Sequence, residues 1–143
     1  MELDLIYTEL IMEHSQSSHN KKRLDHADCT ERGHNPSCGD DITLELRFDK
    51  DKIKEAAFTG SGCAISQAST SMMIDIIKDK SILEVINMAD IFISMIKKEI
   101  INEDDLRILE DAIAFKNISN MPARVKCAVL SWHTLKEAIK GAN

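Results

Sequence analysis

The sequence predicts an α+β fold in which a small antiparallel β-sheet packs against several helices. Between residues 42 and 59, apolar and polar residues alternate on both sides of a charged turn, which is typical of a hairpin. In the segments that follow, apolar residues recur three and four positions apart, which is typical of helices. With 143 residues, 43% of them hydrophobic, the chain can build one core, so we expect a single domain over residues 1–143.

The first predicted element is a helix over residues 3–14, because apolar residues and one histidine share a helical face there. These residues are Leu3, Ile6, Tyr7, Leu10 and His14. The polar segment 15–22 predicts a loop. Residues 26–39 follow no regular pattern and leave room for one short strand before the Asn35-Pro36 turn signal. His34 is expected to be a loop histidine, and the alternatives are that it supports a site formed by its sequence neighbours or replaces one of that site's ligands.

A hairpin and four helices account for the rest of the chain. Residues 42–48 alternate as a half-buried strand, residues 49–52 form a charged turn, and residues 53–59 return as the partner strand. Four helices are then predicted. The first follows Gly60-Ser61-Gly62, and the second covers residues 81–98 and begins with a Ser81/Glu84 capping box. The third is capped by Asn102 and has Leu106, Leu109 and Ile113 inward, and the fourth runs from Pro122 to Lys140.

Charge and hydropathy exclude two classes of function. A net charge of -6 argues against a nucleic-acid-binding module, because phosphate binding needs a cationic face. No apolar run has the length of a transmembrane helix, and the acidic residues near the N-terminus are unlike a signal peptide. We therefore expect a cytoplasmic protein that binds no membrane. In that reducing compartment, its four cysteines are metal ligands or reactive thiols rather than disulfides.

Three cysteines lie at the ends of predicted elements, where separate loops can converge. Cys38 and Asp40 form a C-x-D pair after the Asn35-Pro36 turn. Cys63 follows a glycine-rich turn at a helix N-terminus, which stabilises a thiolate. Cys127 is early in the last helix, beside Arg124 and Lys126.

Three thiolates and a carboxylate suit the tetrahedral, soft-donor preference of zinc, and the two cations could offset the net negative charge of such a site. Each of these cysteines can also be a structural thiol, in a turn or packed in the core. The residues alone leave both the metal-site and the structural interpretation open. Cys29 is expected to be a structural or incidental thiol, with a role as a spare reactive thiol as the alternative.

Several ordered motifs extend over nearly the whole chain. They include Leu3-Asp4-Leu5-Ile6-Tyr7, Asn35-Pro36-Ser37-Cys38-Gly39-Asp40, Phe58-Thr59-Gly60-Ser61-Gly62-Cys63 and Pro122-Ala123-Arg124-Val125-Lys126-Cys127. In these motifs the chain resembles the SufU group within the IscU/NifU-like family of iron–sulfur cluster assembly proteins.

The resemblance implies that Cys38, Asp40, Cys63 and Cys127 bind a zinc ion. It also implies that Cys38 accepts a persulfide from a SufS-type cysteine desulfurase, and that the sulfur passes to downstream iron–sulfur assembly proteins. Arg124 is the candidate for stabilising the persulfide anion. The alternative within the family is a scaffold that uses the same ligands for iron and builds a [2Fe–2S] cluster. Outside it, the alternatives are a zinc-stapled interaction domain without chemistry and, as the weakest, a zinc hydrolase.

Two departures favour the sulfur-transfer branch of the family. Scaffold members have a histidine directly before the last cysteine, where this chain has Lys126, and they have a shorter segment where this chain has the predicted helix 81–98. The loop over residues 15–21 lacks the proline and arginine usual in relatives, but contains no proposed ligand.

Overall fold

The computed structural model describes residues 2–37, 39–99 and 102–142, with side chains from Thr8 onward. Its elements, in chain order, are α1 (Glu2–Gln16), β1 (Cys29–Asn35), β2 (Asp40–Asp49), β3 (Lys52–Ser61), α2 (Ala64–Ile77), α3 (Ile82–Ile96), α4 (Glu103–Leu106), a 3-10 segment (Arg107–Asn120) and α5 (Pro122–Ala142). The predicted α+β class is confirmed. The predicted inward face of α1 is described only in part, because the side chains of Leu3, Ile6 and Tyr7 lie outside the described residues.

The three strands form one antiparallel sheet in the order β1-β2-β3. The predicted hairpin is β2 and β3, in which Leu44 lies opposite Phe58. The buried strand residues, Ile42, Leu44, Leu46, Ile53 and Phe58, are at most 1% exposed and belong to the core. Asp40 begins β2 and Ser61 ends β3, so the two segments proposed to carry ligands meet at one end of the sheet.

Strand β1 corrects the expected position of His34, which lies in a strand and not in a loop. His34 pairs with Asp41 of β2, and its side chain is exposed. The sequence of this strand does not alternate between apolar and polar residues. Gly33 is buried within it because α5 packs closely against the strand at this residue. A Cβ at Gly33 would lie 2.0 Å from Oγ1 of Thr134, so glycine is what lets α5 approach the sheet this closely.

The helices surround an aromatic centre. Phe92 of α3 stacks on Trp132 of α5, with ring centroids 4.3 Å apart, and meets Phe115 edge-on at 6.0 Å. The predicted capping box is present at the start of α3: Ser81 Oγ accepts a hydrogen bond from the Glu84 N–H, and Glu84 Oε1 accepts one from the Ser81 N–H, both at 3.2 Å. Within the described ranges, no helix is long and apolar enough to cross a membrane.

The third predicted helix differs from the expectation. Asn102 caps a single α-helical turn, and the chain then continues as 3-10 helix with a break at Glu110, where φ is 50° and ψ is -126°. Because the 3-10 helix has three residues per turn, the buried face shifts. Ala112 and Phe115 are buried, while Ile113, expected inward, is only half-buried.

Candidate metal centre

Three of the four predicted ligands come together where the sheet meets α5. One donor atom each from Asp40, Cys63 and Cys127 lies within 4.8 Å of the others. Asp40 and Cys127 are buried, at 0% and 1% exposed, and Cys63 is half-buried. In the part of the chain that the structure describes, no histidine belongs to this group.

The alternation of β2 sends two neighbouring carboxylates in opposite directions. Asp41 points outward, where Arg32 donates to both of its carboxylate oxygens at 2.8 and 2.6 Å. This paired hydrogen bond lowers the pKa of Asp41. Asp40 points inward toward the thiols and is therefore available to the candidate centre.

The buried carboxylate of Asp40 is only half satisfied. Its Oδ1 accepts a hydrogen bond from the Cys63 backbone N–H at 3.0 Å. Its Oδ2 is buried and has no hydrogen-bond partner among the described residues. Because an unpaired buried carboxylate oxygen is costly, a cation bound beside Asp40 would give Oδ2 the partner that the described residues do not supply.

Glycines let the end of β3 approach Asp40 closely. Gly60 has φ +123°, and a Cβ there would lie 2.1 Å from the carbonyl oxygen of Asp41. A Cβ at Gly62 would lie 2.5 Å from Oδ1 of Asp40. The glycine-rich turn thus sets the separation between Asp40 and Cys63.

Each thiol is held by a helix. Cys63 is the N-cap of α2, and its Sγ accepts a hydrogen bond from the Ser66 N–H at 3.5 Å, which fixes the thiol at the start of that helix. Cys127 is buried in α5. Ser69 of α2 joins the two helices: its Oγ donates to the Ala128 carbonyl oxygen at 2.6 Å and accepts from Nε1 of Trp132 at 3.1 Å.

The remaining predicted ligand, Cys38, lies outside the described residues. On its N-terminal side, the Ser37 N–H donates to Oδ1 of Asn35 at 3.2 Å, and on its C-terminal side Gly39 has φ +71°. The described residues on both sides of Cys38 therefore have turn conformations, and Asp40 follows them at the start of β2. Arg124, proposed to stabilise a persulfide anion, is exposed in the first turn of α5.

Cys29 is remote from this centre. Cys29 pairs with Leu46, whereas Asn35, six residues further along β1, pairs with the candidate ligand Asp40. Six residues of strand correspond to about 20 Å. Burial, together with the nearby charges of Asp28 and Glu31, raises the pKa of its thiol. A half-buried thiol that resists ionisation fits the expected structural role.

The donors present suit zinc better than a hard cation, because two are sulfurs. In a tetrahedral site with bonds of about 2.3 Å, ligand atoms lie about 3.8 Å apart, so donors within 4.8 Å need to draw in by no more than about 1 Å. Asp40, Cys63 and Cys127 therefore fit three corners of such a site.

A cavity beside the centre was not expected from the sequence. It has a volume of about 250 Å³ and is lined by His34, Asn35, Lys126, Val129, Leu130 and His133. Burial, with smaller effects from Lys97 and Lys136, lowers the pKa of His133. The spacing of Lys126, Val129, Leu130 and His133 on α5, at i, i+3, i+4 and i+7, is the signal that could have identified this face.

The sequence of the chain matches a known family model and known proteins over most of its length. The family model of the NifU-like N-terminal domain matches residues 6–128. The chain is 39% identical over 138 residues to the iron–sulfur cluster assembly scaffold protein IscU of Streptococcus pyogenes serotype M1, covering 96% of this chain and 85% of that protein. It is also 39% identical over 137 residues to the zinc-dependent sulfurtransferase SufU of Bacillus subtilis strain 168, covering 96% and 91% of the two chains.

A solved structure agrees in fold over nearly the whole length. The crystal structure of FiSufU, assigned as an iron–sulfur cluster assembly scaffold protein for the SUF system of Fervidobacterium islandicum AW-1, matches with a TM-score of 0.87 and 40% identity. The match covers 94% of this chain and 97% of that one.

Proposed function

The chain belongs to the NifU-like N-terminal domain family, which includes the IscU and SufU proteins of iron–sulfur cluster assembly, and we propose that it is a zinc-dependent sulfur acceptor for a cysteine desulfurase. The observation that carries this proposal is the donor set of two thiols and one carboxylate, with Lys126 immediately before Cys127. A relative of 39% identity is named a zinc-dependent sulfurtransferase, which supports the same assignment.

The proposed ligands are Asp40, Cys63 and Cys127, with Cys38 as the fourth. Bound zinc would draw the Cys38 turn, the glycine-rich turn and α5 together and would favour deprotonated thiols. Four protein ligands make a closed site, whereas sulfur transfer needs a free thiolate. We therefore expect Cys38 to leave the metal when the desulfurase docks and supplies a ligand of its own.

The transfer itself is a thiol–persulfide exchange. The Cys38 thiolate attacks the outer sulfur of the partner's protonated persulfide, and the sulfur–sulfur bond on the partner breaks. The partner's cysteine leaves as a thiolate, and Cys38 becomes the protonated persulfide. Arg124, one helical turn before Cys127, is the proposed residue for stabilising this group when it loses its proton.

A desulfurase assay tests the acceptor. With purified SufS-type enzyme and cysteine, wild-type protein should stimulate alanine release and gain the mass of one sulfur atom, whereas Cys38→Ala should do neither. Cys29→Ala is the matched control, because it removes a thiol about 20 Å along the sheet from the centre and should keep both activities. Undiminished stimulation by Cys38→Ala would reject the assignment.

The second candidate is a scaffold on which a [2Fe–2S] cluster is built. It is favoured by relatives of comparable identity that are named scaffold proteins. Anaerobic reconstitution with iron and sulfide separates the two functions. A sulfur acceptor should retain zinc and remain colourless, whereas a scaffold should lose zinc and develop the visible absorption of a cluster.

A further inference from the structure

A cationic cleft lies at the opposite end of β3 from the metal centre. It has a volume of about 360 Å³ and is lined by Lys22, Arg23, Leu24, Asp25, Lys54, Glu55, Ala56 and Lys78. Four of these residues are cationic and two are acidic, in a protein whose net charge is -6. The cleft is thus of opposite sign to the molecule as a whole.

The cations of the cleft are not ion-paired with any carboxylate of the described residues. Within the described ranges, Lys22, Arg23, Lys54 and Lys78 form no salt bridge. Of the two acidic residues, Glu55 is engaged by Arg47 at 3.8 Å. The C-terminal dipole of α2 favours Lys78, which caps that helix, but it does not act on the other three cations. With four cations and two carboxylates in its lining, the cleft keeps a net positive charge that an anion from outside could offset.

The backbone of β3 contributes a further donor. The Phe58 N–H bonds to the Asn20 carbonyl oxygen and the Ile53 N–H bonds to the Lys80 carbonyl oxygen, both at 3.0 Å, on the edge of the sheet that faces away from β2. Because Ala56 is two residues from Phe58 along the strand, alternation directs its N–H to the same edge, and the register shift between Glu55 and Ile53 lies beyond it. Outside the sheet, this group has no hydrogen-bond partner among the described residues, and an acceptor in the cleft would satisfy it.

We propose that this cleft is a docking site for a short acidic segment of a partner protein. The four cations line a cleft of about 360 Å³, which has room for several carboxylates of a peptide and is larger than one compact anion requires. The strand from Lys54 to Ser61 spans about 24 Å, so the segment can bind while the metal centre is occupied or engaged by another protein. The cleft thus offers a second contact that does not compete with the centre.

Binding of a labelled hexaglutamate peptide, followed by fluorescence anisotropy at low salt, tests this proposal. Wild-type protein should bind hexaglutamate but not hexaglutamine, and binding should weaken as salt is added. Lys54→Glu with Lys78→Glu should weaken binding by about tenfold or more, because two attractions become repulsions. The milder pair Lys54→Gln with Lys78→Gln, for use if the reversal does not fold, should still weaken it by about threefold.

The matched control is Lys97→Glu with Lys140→Glu. It makes the same change in net charge, and Lys97 caps the C-terminus of α3 as Lys78 caps that of α2, but neither residue lines the cleft. This control should change peptide affinity by no more than about twofold. Equal losses in both pairs, or no binding by wild type, would overturn the proposal. So would displacement of the peptide by inorganic phosphate at constant ionic strength, because the site would then be one for a small oxyanion.

Discussion

Asp40 is expected to lower the stability of the metal-free protein and to raise its affinity for a metal ion. Its carboxylate is fully buried, with Oδ2 unpartnered among the described residues, which is unfavourable in the metal-free protein and favourable once a cation is bound. Asp40→Asn keeps the shape but removes the charge. We expect zinc affinity, measured by chelator competition, to fall about a hundredfold or more, and the metal-free protein to gain about 1 kcal/mol in free energy of unfolding. A variant less stable than wild type without metal would contradict the interpretation of Oδ2 as an unpaired ligand atom.

Gly62 controls the position of the same carboxylate. In Gly62→Ala the new methyl group would meet Asp40 Oδ1 at 2.5 Å, so the carboxylate or the turn must shift from its present position. We expect zinc affinity to fall by about tenfold or more, as for other residues that orient ligands. Gly141→Ala in α5 is the control, because its Cβ would meet nothing within 4 Å. Equal zinc affinity in both variants would show that Gly62 has no role in positioning Asp40.

At the residue scale, the candidate donor residues were easier to predict from the sequence than the packing contacts that surround them. The thiols and Asp40 are candidates because they lie at the ends of predictable elements, and the family resemblance is what implies that they act together as ligands. The approach of Gly62 to Asp40 could not be predicted, since it depends on how the start of β2 and the end of β3 are staggered. The cavity that His34 and His133 share also depends on packing, since these residues lie in β1 and α5.

Between elements, Ser69 determines how the two helices that hold the thiols lie against each other. Ser69→Ala removes its bonds to the Ala128 carbonyl and the Trp132 indole, and leaves the buried indole N–H without its acceptor. We expect a loss of about 2 kcal/mol in the free energy of unfolding, measured by denaturant titration. Because α2 and α5 also position Cys63 and Cys127, zinc affinity should fall by about tenfold.

Ser119→Ala is the control for this variant, because the Ser119 hydroxyl donates only to the Lys116 carbonyl at an exposed position. It should leave both the free energy of unfolding and zinc affinity close to wild type. A Ser69→Ala protein with reduced stability but unchanged zinc affinity would restrict Ser69 to a role in the core.

Elements with a strong local signal were predictable, and those defined by their neighbours were not. The Ser81/Glu84 capping box and the alternation of residues 42–48 are local, and both are confirmed. Strand β1 has exposed Arg32 and His34 and is a strand because it pairs with β2. The 3-10 segment Arg107–Asn120 contains a positive φ at Glu110, a non-glycine residue, which sequence periodicity does not encode.

At the scale of the whole molecule, the core and the proposed metal site stabilise the fold independently. Fully buried aromatic side chains of three elements, Phe92, Phe115 and Trp132, pack together, and the buried strand residues extend this core into the sheet. A core of this extent does not require a metal to form, unlike that of a small zinc finger. The proposed zinc site would instead join segments whose donor atoms the fold already places within 4.8 Å of one another.

Metal removal therefore should weaken the protein without unfolding it. At free zinc about a thousand times its dissociation constant, binding stabilises the folded state by about 4 kcal/mol, which corresponds to about 10 °C in Tm for a chain of this size. After treatment with a strong chelator, we expect Tm to fall by about this amount. The far-UV circular dichroism spectrum at 25 °C should remain that of a folded α+β protein, and added zinc should restore Tm. A helical signal lost at 25 °C on chelation would instead favour the zinc-stapled interaction domain, in which the metal takes the place of a core.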